Sequence, residues 1–343
     1  MSVSVVIPHL RGHEALLSVL ADLERERGLT QGVEVLVVDN SSSDGSVGAV
    51  QQAYPWVRVL HLSENLGYAG GCNAGIRATH AEWVWLLNDD VRIRPGILDE
   101  LLAVGRSAPD IAAVQPKILS QQDEGKFDYA GGAGGLIDRY GFPFALGRIG
   151  GVLEEDKGQY DTSREIFWAS GTACLWRREA LEDVGLLDEG FFAHMEEIDL
   201  AWRAWNAGWR AMSAPKGVVE HFGGGTLSYL SWRKMFLNHR NNLITIAKNA
   251  EAKRLWWLML TRIFLDHGIG VAETLMGRPK RMFAVWLGWL AFLVRTPDWL
   301  IARRQAQSIR HKSDAEIARV VYPRSILIAY LRGTRSAAEL PGV

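Results

Sequence analysis

The chain has 343 residues, 48% hydrophobic and 22% charged, with two cysteines and a formal net charge of −1. This composition excludes a disordered chain, a disulfide framework and a Cys-rich zinc module, and it allows one large core-forming domain plus an appendage. The balance of charge conceals a division: residues 251–343 hold 15 Lys and Arg against 7 Asp and Glu, a net of +8 that leaves −9 for the rest, so the two parts suit different partners, with nothing pointing to nucleic acid.

Residues 1–8 lack the basic start and long apolar run of a secretory signal, so a reducing cytoplasm is the expected setting. In chain order, residues 3–7 read as a strand and 14–27 as a helix with apolar positions at Leu16, Leu17, Leu20 and Leu23. Residues 33–38 form a second strand, 46–53 a short helix and 56–60 a third strand. After Asn65 a glycine-rich turn leads into residues 72–78, followed by a fully buried strand at 83–87 and a helix at 97–105. The alternation predicts an α/β fold with a largely parallel sheet. Residues 120–165, rich in Gly, Asp and Tyr with weak periodicity, predict a long mobile loop over a site. From Trp232 the pattern turns helical, which predicts a domain at residues 1–230 and a helical segment at 231–343.

Two strands end in acid: residues 33–38 run into Asp39, and residues 83–87 into Asn88-Asp89-Asp90. A carboxylate at the end of a buried parallel strand faces the crevice where α/β folds bind ligands. One such end suits a base or ribose, and the other a divalent metal. The usual phosphate cradles are missing, because the turn after the first strand, Pro8-His9-Leu10-Arg11-Gly12, has one glycine and no Gly-Lys-Ser/Thr follows any strand. Phosphate charge then falls to a metal on Asp90, with Asp89 on ribose or metal-bound water, and such oxygen ligands suit Mg²⁺ or Mn²⁺.

The motifs Asp39-Asn40-Ser41-Ser42-Ser43-Asp44-Gly45-Ser46, Asn65-Leu66-Gly67 through Gly70-Gly71-Cys72-Asn73-Ala74-Gly75, Asn88-Asp89-Asp90, Ser170-Gly171-Thr172 and His194-Met195-Glu196-Glu197-Ile198-Asp199 occur in that order. Together they resemble the signatures of family 2 inverting glycosyltransferases with the GT-A fold, over roughly residues 3–245. The resemblance implies a Rossmann-like mixed sheet flanked by helices, with a C-terminal helical segment. It implies that Asp39 binds the base of a nucleoside diphosphate sugar and that Asn65, Gly67, Gly71 and Asn73 pack against nucleotide and sugar. Asp90 would hold the metal, joined by His221, and Asn88 and Asp89 would line the same pocket. Pro8, Trp168, Gly171 and His194 are further substrate-side positions. The catalytic base falls at Glu197, with Glu196 the alternative, in a position where the family usually has Asp. The first strand departs from the family, since Ile7-Pro8-His9-Leu10 replaces a Tyr-Asn type ending.

The chemistry implied is displacement at an anomeric carbon: a carboxylate takes the acceptor hydroxyl's proton while a metal neutralises the departing diphosphate. Attack opposite the leaving group inverts the configuration, as in inverting glycoside hydrolysis. Structural readings stand beside these. Asp39 and Asp44 could cap a turn, the glycines could serve close packing, and acids at residues 196–199 suit a helix N-terminus. Asp199 and Arg203 form an i,i+4 pair, so Asp199 reads as structural. His221 is equally a loop histidine or a ligand.

Residues 282–294 are an uncharged run of 13 between Arg281 and Arg295, too short for the ~20 residues a bilayer span needs. Tryptophan with flanking Arg and Lys suits a helix lying at the inner leaflet, against ordinary burial or a homo-oligomer contact. The expected donor is a UDP, dTDP or GDP sugar, with rhamnose first and galactofuranose or another hexose next. The expected acceptor is a glycan or polyprenyl-linked glycolipid hydroxyl in bacterial cell-surface polysaccharide synthesis. The rivals are a sugar-nucleotide nucleotidyltransferase and a non-catalytic carbohydrate- or membrane-binding scaffold.

Overall fold

Period-two alternation in the N-terminal strands sorts their side chains onto two faces, and each face recruits its own helices. The structure is a computed structural model and describes residues 2–29, 32–223 and 232–343. Its first part runs β1 (Val3–His9), α1 (His13–Leu29), β2 (Val33–Asp39), α2 (Ser46–Ala53), β3 (Arg58–His61), α3 (Gly67–Arg77), β4 (Trp83–Leu87), β5 (Val91–Ile93) and α4 (Ile97–Arg106). Val3, Val5, Ile7, Val35 and Val37 pack with α1, α2 and α4, whereas Val6, Leu36 and Val38 pack with α3.

The middle of the chain adds β6 (Ile111–Ser120), β7 (Gly135–Asp138), β8 (Pro143–Ala145), β9 (Arg148–Ile149), β10 (Val152–Leu153), β11 (Glu165–Ile166), β12 (Ala173–Arg177), α5 (Arg178–Val184), α6 (Glu196–Ala207) and β13 (Arg210–His221). The main sheet has the order β11-β13-β6-β12-β4-β1-β2-β3, with β5 beside β13. Strands β3, β2, β1 and β4 are parallel. Because β12 enters antiparallel between β4 and β6, the whole sheet is mixed. The register sets His9 opposite Asp39, so the carboxyl ends of β1 and β2 are level.

Two sequence expectations are corrected. The segment read as a glycine-rich turn is helix α3. Glycine costs about 1 kcal/mol per helical position, but a Cβ at Gly75 would lie 2.3 Å from Val6 Cγ1, so close packing on the sheet decides the sequence. Residues 120–165, expected as a loop, instead carry β7–β10, and Leu136, Phe144, Leu146 and Ile149 are buried in the core.

After β13 come α7 (Trp232–Asn249), α8 (Ala252–Leu275), α9 (Pro279–Val294), α10 (Thr296–Ser308), β14 (Val321–Tyr322) and α11 (Ile326–Leu331). Leu243, Ile246, Leu258 and Phe292 join Phe167, Trp202 and Trp205 in a third core against α6. The chain then returns to the small sheet, where β14 pairs with β7. Asp138 Oδ2 accepts the Ile326 N–H at 3.0 Å and Glu154 Oε1 the Ala337 N–H at 2.7 Å. The expected boundary at residue 230 lies outside the described residues, as do Gly224, Gly225 and Thr226, which follow His221 in the sequence.

Candidate active site

The carboxyl ends of β2, β1 and β4 bring the acidic motifs together. Asp39 Oδ1 accepts the Ser42 N–H at 2.8 Å, and Oδ2 lies 2.9 Å from His61 Nδ1. Burial pushes this carboxyl up, but the bonds from Ser42 and the His61 ring outweigh it and hold Asp39 below the usual range. A carboxylate has about four acceptor sites, so Asp39 can still accept from a base. Across the strand end, His9 Nδ1 lies 2.6 Å from Asp89 Oδ2 and Nε2 lies 2.7 Å from Ser46 Oγ. His9 thus ties the Asp89 end of β4 to the turn that follows Asp39.

The next residue faces β13. Asp90 Oδ1 is buried and ion-paired with His221 Nε2 at 3.2 Å. His221 Nδ1 lies 2.9 Å from Asp128 Oδ1, and Asn88 Nδ2 is 3.5 Å from His221 Nε2. Burial opposes a charge on His221, but Asp128 and Asp90 override it and lift the imidazole to about 10. A buried carboxylate paired with an imidazole whose other nitrogen is held by a second carboxylate fits a metal corner. Among the described residues no cluster of three or more His, Cys, Asp or Glu could hold an ion. Asp90 and His221 could contribute two ligands, the number Mg²⁺ sites commonly take when substrate phosphates and water complete the shell.

The third part of the site precedes α6. Phe192, His194 and Met195 all have positive φ, at 65°, 70° and 76°. Such residues are strained and persist only where the surroundings hold them. Asn241 of α7 does so, since its Nδ2 donates to the carbonyls of Phe191 (3.2 Å), Ala193 (3.0 Å) and His194 (2.7 Å). On the other side the Tyr68 N–H donates to the Phe192 carbonyl at 2.9 Å. A Cβ on Gly67 would lie 2.5 Å from that carbonyl, which with its φ of 72° explains the glycine.

This turn delivers Glu196 and Glu197 to the first turn of α6, where each has a buried Oε2 without a hydrogen-bond partner. Burial raises both carboxyls well above the usual range. Their charges also raise Cys72 of α3, whose thiol burial already pushes up. His194 Nε2 is buried without a partner, and burial lowers the ring to about 4. Two elevated carboxyls beside a neutral imidazole suit general-base work near neutral pH.

Other expected residues hold the frame. Asn65 Oδ1 accepts the Gly67 N–H at 2.9 Å. Pro8 sits against Gly71, where a Cβ would come within 3.2 Å of Pro8 Cβ. Gly171 lies under Tyr68, whose hydroxyl donates to its carbonyl at 2.6 Å. Asn73 spends both polar ends on Leu187, with Nδ2 also 2.9 Å from Glu189 Oε1, so it anchors the segment before α6 and does not face the donor. Trp168 is buried against Gly135 with Nε1 donating to the Leu136 carbonyl, so it belongs to the third core, beside Phe167. Asp199 is structural as expected, paired with Arg203 and Lys248 at 3.0 and 2.9 Å.

No role is read from the sequence for His9, Tyr68, Asp128 or Asn40, whose amide joins Gly67 O and Leu66 N. Asn40 had a signal in its place beside Asp39. Asp128 had none, because its partner lies 93 residues away.

The sequence model of glycosyl transferase family 2 matches residues 4–185, more than half of the chain. The chain belongs to glycosyl transferase family 2. As a family 2 glycosyltransferase it is 29% identical over 287 residues to an N-acetylglucosaminyl-diphospho-decaprenol L-rhamnosyltransferase of Mycobacterium tuberculosis, covering 79% of this chain and 89% of that one. Two solved structures share the fold at 15% identity. The S. aureus TarS fragment 1–349 superposes with a TM-score of 0.53, covering 97% of this chain and 92% of that one. A Pyrobaculum calidifontis mannosyltransferase in complex with GDP-Man and Mn²⁺ gives 0.52, with 90% and 85% covered. The fold of this glycosyltransferase is GT-A, a mixed sheet flanked by helices.

Proposed function

We propose that this glycosyltransferase moves a sugar, rhamnose first, from a nucleoside diphosphate to a hydroxyl of a polyprenyl diphosphate-linked glycan, with inversion and with help from Mg²⁺ or Mn²⁺. The observation that carries the reading is the buried pair of Asp90 with His221 at the sheet edge where β2 also ends in Asp39. Asp39 binds the base, and Asp90 and His221 hold the cation. When bound, that cation supplies charge neutralisation on the departing diphosphate. His9 keeps Asp89 in place between the two. Glu197, with Glu196 beside it, takes the acceptor proton, and its elevation by burial brings its strength toward the working pH. No covalent intermediate is needed.

The donor and acceptor classes are drawn from the mycobacterial relative, whose name specifies a lipid-linked acceptor and rhamnose. The mannosyltransferase neighbour, complexed with GDP-Man and Mn²⁺, supports the metal. A nucleotidyltransferase would need a glycine-rich basic loop after β1, and here Leu10, Arg11 and Gly12 alone join β1 to α1. A non-catalytic scaffold would have no use for two buried, unpartnered carboxyls, which cost stability.

The test is transfer from dTDP-, UDP- and GDP-sugars to a polyprenyl diphosphate-linked N-acetylglucosamine, with Mn²⁺ and with chelator, the product anomer being read by NMR. One donor base should work, only with metal, and give the inverted anomer. No turnover with any donor would remove the reading, and a retained anomer would remove the single-displacement mechanism.

A further inference from the structure

We infer that the outer face of the α8–α9 hairpin docks on a lipid bilayer carrying anionic headgroups. Along α8, Trp256, Leu260, Phe264, Val271 and Leu275 recur at helical spacing and are exposed, Phe264 by 77% and Leu275 by 83%. Along α9, Phe283, Trp286, Leu290, Leu293 and Val294 do the same. The opposite faces are already in use. Leu258 and Gly270 of α8 and Ala284, Val285, Gly288 and Phe292 of α9 are buried. Close glycine contacts seal that inner side, since a Cβ on Gly288 would meet His239 at 2.9 Å. On the inner side α8 also buries the Arg262–Asp266 ion pair, so the apolar side chains without a protein cover are those of the outer face. A soluble monomer rarely leaves so continuous an apolar patch in water.

The chemistry of the rim selects the occupant. Protein interfaces surround an apolar centre with a polar rim and about ten hydrogen bonds. Between Arg281 and Arg295, α9 offers no hydrogen-bonding side chain except its indoles. Exposed cations stand at the ends of the hairpin, Lys253 at the start of α8, Arg278 in the turn and Lys280 at the start of α9. The segment 251–343 is +8 overall. Tryptophan and cations flanking an apolar helix match the headgroup region of an anionic leaflet. No described helix is long and apolar enough to cross a membrane. The hairpin therefore lies in the plane of the surface, its α8 about 36 Å long at 1.5 Å per residue.

Docking there reaches the site. Arg295, at the end of α9, donates to the Gly190 carbonyl at 2.9 Å, in the segment that leads to Glu196. The hairpin packs on α7, whose Asn241 holds the same turn. A bilayer on this face would present a lipid-linked acceptor beside the base; that use of the surface rests on the proposed function.

Flotation of the full chain with phosphatidylcholine vesicles, and with vesicles that also contain phosphatidylglycerol, tests the inference. The wild type should float with the anionic vesicles, more weakly as salt rises, and remain a monomer by light scattering without lipid. Combined Phe264→Glu, Leu290→Glu and Leu293→Glu should lower the partition coefficient at least about 100-fold. Arg278→Ser with Lys280→Ser should weaken only the anionic arm. Transfer to a water-soluble acceptor analogue and the melting temperature should stay unchanged in the triple variant, which shows that it folds. A wild type that binds neither vesicle, a triple variant that binds as well, or a lipid-free dimer that the triple variant dissolves would each overturn the inference, the last by assigning the face to a second copy. Vesicle binding without transfer to any acceptor would leave the docking surface standing and remove the proposed acceptor.

Discussion

Replacing Asn241 with alanine should separate acceptor-side chemistry from donor binding. The side chain is fully buried, and its amide serves three carbonyls of the strained turn before α6. One of these, Phe191 O, keeps a donor in Arg240 Nη2 at 3.2 Å. The carbonyls of Ala193 and His194 lose theirs, and two orphaned acceptors cost about 2–6 kcal/mol. At roughly 2 °C per kcal/mol for a chain of this size, melting should fall by about 4–12 °C. The three left-handed residues lose their clamp, so Glu196 and Glu197 shift. A misplacement of about 1 Å costs about 100-fold in rate. Asn241→Asp should be no better, because it turns a carboxylate toward the same oxygens. Scanning calorimetry with transfer and nucleoside diphosphate titration checks this, the nucleotide affinity being expected to hold because Asp39 lies on another element. An alanine variant that melts like wild type and transfers at full rate would refute the clamp.

Further outcomes follow from the same geometry. Asp128→Asn removes the carboxylate that holds His221 Nδ1 and should weaken Mn²⁺ affinity about 10–100-fold, measured by calorimetric titration. Glu197→Gln should abolish transfer, whereas Glu196→Gln should lower the alkaline-rising limb of the pH–rate profile, because the base must be ionised and its like-charged neighbour is gone. The raised folded pKa of Glu196 makes the native state bind the extra proton, so stability is lost as pH rises above the unfolded value. Glu196→Gln should therefore stabilise at pH 8 and not at pH 4 in urea titrations, by about 1.4 kcal/mol per unit of elevation. Gly171→Ala places a Cβ 2.6 Å from the Tyr68 hydroxyl and should cost about 1–3 kcal/mol by denaturant titration.

What the sequence makes legible is local. Buried apolar runs that close on acid identify β2 and β4, and the carboxylates at 39, 89 and 90 meet at one sheet edge as their strand ends require. Glycine content misdirects the reading of α3, because packing against Val6 and Val38 outweighs helix propensity there. The strands between residues 135 and 153 are only two to four residues long, too short to show a period, and the sheet is completed by β14, far along the chain. Asn73 and Trp168 look like ligand residues in the motif order, yet their partners are Leu187 and Leu136, which no spacing announces. His9 occupies the position where the first strand departs from the family, and its role as the link between Asp89 and Ser46 needs the three-dimensional register.

Electron–nuclear double resonance on the ternary complex of enzyme, Mn²⁺ and nucleoside diphosphate would show what surrounds the cation. A ³¹P coupling from the diphosphate should appear together with a ¹⁴N coupling that vanishes in His221→Ala, and Asp90→Asn should abolish formation of the complex. A metal–nucleotide spectrum without protein nitrogen, unchanged by either substitution, would contradict the assignment of Asp90 and His221 as the metal corner of this glycosyltransferase.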